Sequence, residues 1–147
     1  MKSAKRIVKV SKIRVLVVLA GIATSGAVAN EITGEDSFVC TAWRAVSCST
    51  ASDCENTEAW QLNIPDFVRI DLEDQTISTL PGSDEERTSE FQSVSRQQGR
   101  LFLNGTQDDR GFTWVINEET GEGTLAIATE TTVISLFTVC AATGDLQ

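Results

Sequence analysis

The chain has 147 residues, 41% of them hydrophobic, with 21 acidic side chains against 12 basic ones and a formal net charge of −9. A field of that sign repels nucleic acid and anionic membrane surfaces, so neither is an expected partner. Histidine and tyrosine are both missing from the composition, which excludes Ser–His–Asp and Cys–His catalysis within the chain and removes the usual proton shuttle near neutral pH.

The first 29 residues have the three parts of a secretory signal. Residues 1–14 carry six positive charges and no negative one, residues 15–22 are apolar, and Ala27-Val28-Ala29 offers small residues for cleavage after Ala29. The apolar run is shorter than the ~20 residues of a membrane-spanning helix, so stable membrane insertion of the mature chain is not expected. The periplasm or the medium is the expected destination. Cleavage would remove six of the twelve basic residues and no acidic one, leaving residues 30–147 with a net charge of −15 and arginine as their only basic residue. Schiff-base chemistry, which needs lysine, is excluded with them. The mature length suits one domain with one core.

Period-two alternation dominates the mature chain. Residues 37–45 read as a first strand. Residues 67–73 put Val68, Ile70 and Leu72 on one face and Arg69, Asp71 and Glu73 on the other, the pattern of a half-buried strand. Asp74-Gln75 turns the chain, residues 76–80 return, and residues 81–86 are a loop by composition. Residues 88–96 form a weaker strand. After a turn at residues 97–99, residues 100–105 come back with Leu101 and Leu103 on one face. Asn104-Gly105-Thr106 matches a glycosylation acceptor and reads more simply as a turn. Residues 111–117 place Phe112, Trp114 and Ile116 on one side, and Gly121 closes a hairpin loop at a position of positive φ. Residues 122–129 return with Leu125 and Ile127 together. Residues 132–140 are apolar on both faces, as a central strand is. The expected fold is all-β: an up-and-down antiparallel meander of about eight strands, a curled sheet or small barrel. A Greek-key β-sandwich is the alternative.

The four cysteines fall at 40, 48, 54 and 140. Zinc sites use closely spaced thiolate or imidazole pairs. These gaps do not provide them, whereas an even count in an exported chain suits disulfides. In an even-stranded meander the start of the first strand lies level with the end of the last. That argues for Cys40 with Cys140, leaving Cys48 with Cys54. The competing arrangement joins Cys40 to Cys48 and Cys54 to Cys140.

Candidates for chemistry are few. The carboxylate pairs Asp71 with Glu73, Asp84 with Glu85 and Glu86, Asp108 with Asp109, and Glu118 with Glu119 could in principle serve hydrolysis. Their places in turns or on an outer face read as solvated charge. Neither Gln107-Asp108-Asp109 nor residues 71–74 has the spaced oxygen ladder of a calcium loop, and no motif calls for a cofactor. The aromatic residues Trp43, Trp60, Trp114 and Phe112 are candidate ligand-lining groups, since an eight-stranded barrel can enclose one small ligand. Residues 65–72 (PDFVRIDL), residues 111–121 (GFTWVINEETG) and the ending 136–140 (LFTVC) resemble small secreted bacterial β-meander proteins of unknown function. That resemblance implies a fold and no activity. The residues thus point to an exported, acidic, non-catalytic β-domain that binds a small ligand or a basic protein. A structural or stress-related envelope protein is the second reading, and a carboxylate hydrolase the third.

Overall fold

The computed structural model describes residues 31–143, and the expected signal peptide, residues 1–29, lies outside the described residues. The chain forms β1 (Ser37–Ser49), β2 (Ser52–Thr57), one turn of 3-10 helix (Ala59–Leu62), β3 (Phe67–Asp71), β4 (Thr76–Thr79), β5 (Thr88–Glu90), β6 (Ser93–Gln97), β7 (Arg100–Gln107), β8 (Arg110–Asn117), β9 (Glu122–Ala128) and β10 (Thr132–Ala142). All ten strands belong to one antiparallel sheet in the order β5-β4-β3-β1-β10-β9-β8-β7-β6, with β2 paired to the far half of β1. It is a meander curled into a closing half-barrel, and the Greek-key alternative is set aside.

The two edges of this sheet, β5 and β6, are consecutive in the chain. The sequence predicts one strand over residues 88–96, and the structure divides it at Phe91-Gln92. Above the division Thr88–Glu90 pairs with β4, and below it Ser93–Gln97 pairs with β7. At the division the Phe91 N–H donates to the Gln75 carbonyl (3.0 Å) and the Gln92 N–H to the Asn104 carbonyl (2.8 Å). Successive amides therefore face opposite neighbours, and the Phe91 ring points into the core, 2% exposed. Counting β5 and β6 as one stave makes the circuit eight staves round, the number that leaves an interior just filled by side chains or able to hold one small ligand.

Inward-facing residues follow the alternation in the sequence. Ile70, Leu101, Leu103, Trp114 and Ile116 are buried together with Phe38 and Phe91, and Val68, Leu72, Ile77, Phe112 and Leu125 pack against them. Cys40 and Cys140 are opposite partners in the β1–β10 register. Their sulfurs are bonded at 2.08 Å inside the core. Cys48 and Cys54 are bonded at 2.09 Å across the β1–β2 hairpin. β2 itself is a strand that the sequence does not announce. Its residues, SDCENT, have no apolar alternation, and backbone pairing to β1 plus the disulfide hold it in place.

Three turn residues behave as their chemistry requires. Gln98 and Gly99 both have positive φ (53° and 71°) in the two-residue β6–β7 turn, the type I′ geometry that matches strand twist. Gly121 has φ 68° in the β8–β9 loop, as expected. Asn104-Gly105, in contrast, is not a turn: both residues lie within β7, with Gly105 opposite Phe112. A Cβ on Gly105 would stand 2.3 Å from Phe112 Cζ, so the glycine is there to admit that ring.

The end of the barrel near the start of β1 is plugged by residues 31–36. Ile32 is 1% exposed and joins the core, its N–H donating to the Glu118 carbonyl at 2.8 Å. Glu118 is the one carboxylate that departs from the solvated-turn expectation: it is 6% exposed. Arg96 donates through Nε to its Oε1 at 2.9 Å and through a terminal nitrogen to the Glu35 carbonyl at 2.7 Å. A single guanidinium thus ties β6, the β8–β9 loop and the plug together.

Candidate functional site

The opposite half of the barrel is hollow. A cavity of about 350 Å³ is walled by inward residues of most of the staves: Ala42 from β1, Val68 from β3, Ile77 from β4, Phe112 and Trp114 from β8, Leu125 and Ile127 from β9, and Leu136 and Thr138 from β10. β1 contributes only a small inward side chain to this cavity. Phe38, Leu101 and Ile116 fill the plugged half, and two inward positions above Phe38, past Cys40, β1 offers only Ala42.

Trp114 is part of the cavity wall and is 1% exposed. Its indole N–H is satisfied by Thr138 Oγ1 at 3.0 Å, which fixes the ring against β10. Gly123, between these two strands, leaves the space. A Cβ there would approach Thr138 Oγ1 and the Val115 carbonyl to 2.9 Å each. Phe112, seated over Gly105, completes the aromatic part of the wall.

The mouth is polar. Asn63, Arg87, Gln107, Asp108 and Arg110 line it, together with Ile64 and Pro65 from the segment after the 3-10 turn. Asn63 ends that turn in the left-handed conformation, with φ 57°. Arg87 donates to the Asn63 carbonyl and to its Oδ1, both at 2.8 Å, and is paired with Glu85. It thereby fastens the segment to the strand side of the mouth. Arg110, the first residue of β8, has no ion pair among the described residues.

Of the four candidate ligand-lining aromatics, Trp114 and Phe112 meet in the cavity wall, and Trp43 and Trp60 do not. Trp43 is 65% exposed. It is the extra residue of a bulge in β1, where Ala42 pairs with Thr138 but Arg44 with Phe137. On the outer face it meets the Phe137 ring at 5.9 Å, with Arg44 over the same ring at 5.8 Å. Trp60 sits on the 3-10 turn at 67% exposure, with Phe67 (52%) nearby around an outer groove. Size alone marks both tryptophans as core. The bulge and the single-turn helix, which put them outside, leave no mark on hydrophobic period.

Among the described residues, the cavity lining holds no pair of carboxylates. Asp71 caps the β3–β4 turn, its Oδ1 accepting from the Glu73 and Asp74 N–H groups at 3.1 and 3.0 Å. Glu118 is bound to Arg96. Asp108 is the single carboxylate in the cavity lining. Among the described residues no three cysteine or carboxylate side chains cluster as metal ligands, and all four cysteines are bonded in pairs. No helix of the described residues is long and apolar enough to cross a membrane. Comparison with known proteins finds no match to this chain among protein families, curated proteins or solved structures.

Proposed function

We propose that this is a non-catalytic β-domain that binds one small, largely apolar molecule inside its barrel. The cavity of about 350 Å³ carries this reading. It falls within the ~300–1,000 Å³ of small-molecule sites, and its apolar wall with a few polar groups at one end is the usual composition of such sites. A domain with only a structural role gains nothing from an unfilled apolar hollow of this size, because empty apolar space costs stability. Hydrolysis by carboxylates is disfavoured because it takes two such groups across the scissile bond, and Asp108 has no acidic neighbour in the lining. Export, expected from residues 1–29, would place this binding in the periplasm or the medium.

The test is native mass spectrometry of the mature protein purified from its own compartment, alongside the variant Ala42→Phe, which places a ring in the hollow. Binding predicts a mass above that of the chain alone, returning to the bare chain in the variant. A bare mass for the wild type, with apolar probes binding equally to both proteins, would refute the reading.

A further inference from the structure

The chemistry of the mouth narrows the ligand class, on the reading that the cavity binds a small molecule. Residues 30–147 have only six arginines against 21 acidic residues, yet two of the six, Arg87 and Arg110, border this one opening. Arg87 already has its donors engaged by Asn63 and Glu85. Arg110 does not: among the described residues it has neither an ion pair nor a side-chain hydrogen bond, and it is exposed at the rim. Beneath it the wall is Phe112, Ile127 and Leu125, without a charged group. We infer that the cavity takes a short amphiphile whose apolar body lies against Phe112 and Trp114 and whose anionic head, a carboxylate or its equivalent, is held by Arg110.

Size and charge agree with this class. At about 350 Å³ the cavity lies at the small end of the ~300–1,000 Å³ range of small-molecule sites, which suits a short chain such as a ten-carbon carboxylate. An anion approaching a domain of net charge −15 is repelled overall. A planar guanidinium at the entrance, able to make two parallel hydrogen bonds to a carboxylate, offsets that repulsion where the head comes to rest. Asp108, also at the rim, would disfavour a head that lies away from Arg110. As the one carboxylate of the lining, it would also attract a cationic amphiphile, and so supplies the competing outcome.

Isothermal titration calorimetry of the mature protein with decanoate, decanol and decyltrimethylammonium separates the possibilities. The inference predicts that decanoate binds about tenfold tighter than decanol, roughly the value of one charge-assisted contact. Arg110→Gln should erase that preference while leaving decanol unchanged, and Arg110→Lys should keep part of it. Arg110 is exposed, so unaltered thermal unfolding of these variants is expected and checks that they fold. Equal binding of decanoate and decanol would overturn the anionic head and leave cavity binding intact, as would a decanoate preference that survives in Arg110→Gln. Tightest binding of the ammonium probe would overturn it in favour of a cationic head. No binding of any probe, with a bare native mass, would remove both this inference and the binding reading on which it rests.

Discussion

Gly105 shows how much of this barrel depends on one absent side chain. The Phe112 ring occupies the space above it, and a methyl group there would stand 2.3 and 2.6 Å from two ring carbons and 3.0 Å from the Glu90 carbonyl. The same ring lines the cavity. Gly105→Ala is therefore expected to cost ~1–3 kcal/mol, the usual penalty of overpacking, measured by urea unfolding, and to weaken binding of any cavity ligand in the same preparation. Unchanged stability and unchanged binding would mean that the ring has room elsewhere. The sequence marks Asn104-Gly105 as a turn because that dipeptide is the strongest short turn signal. Here, close approach of a neighbouring ring is the reason for the glycine, and only the pairing of β7 with β8 makes that visible.

At the scale of elements, the plug of residues 31–36 is held by one apolar anchor, one guanidinium and backbone bonds to Glu118 and Leu72. Ile32 is buried among core side chains, and Arg96 reaches the Glu35 carbonyl as well as the Glu118 carboxylate. Ile32→Ala should cost ~2–5 kcal/mol, as buried isoleucine truncations do, and should raise amide exchange at the residue 32 N–H, which donates to the Glu118 carbonyl. If exchange there is unchanged, the plug is held by its polar contacts alone. The strands with a buried face are legible in the sequence because burial on one side imposes period two: β3, β7 and β8 point inward at Val68, Ile70, Leu101, Leu103, Phe112, Trp114 and Ile116, as their alternation indicates. β2 is not legible, since both of its faces are largely exposed and no period is imposed. The split between β5 and β6 leaves only a faint mark: Ser89 and Phe91 face inward before it and Val94 after it, so the alternation slips by one residue at Gln92-Ser93, among mostly polar residues. The cavity was only half legible. Phe112 and Trp114 announce an apolar interior, whereas Arg87 and Arg110 lie in loop-like surroundings and reach the mouth only through the curl of the sheet.

For the whole molecule, the two disulfides act over very different lengths of chain, 100 and six residues. In the chain-entropy account, closing the long loop stabilises by ~4.7 kcal/mol and the short one by ~2 kcal/mol. Replacing Cys40 and Cys140 together by alanine should therefore lower unfolding free energy by about twice as much as replacing Cys48 and Cys54, and it also leaves a void in the core. Equal losses in denaturant titrations would show that local packing, and not chain closure, sets the contribution of each bridge.

The bridge between β1 and β10 has a topological result as well. Backbone from residue 40 to residue 140 and the sulfur link between them make one covalent hoop around the barrel axis. A single cut anywhere on that hoop cannot divide the molecule. Residues 81–86 are exposed throughout and contain Glu85 and Glu86, so a glutamate-specific protease should nick the folded protein there. On a denaturing gel the nicked product should migrate as one species without reductant and as two fragments with it. An enzyme attacking from outside would have to cleave the hoop twice before any piece of the wall is lost.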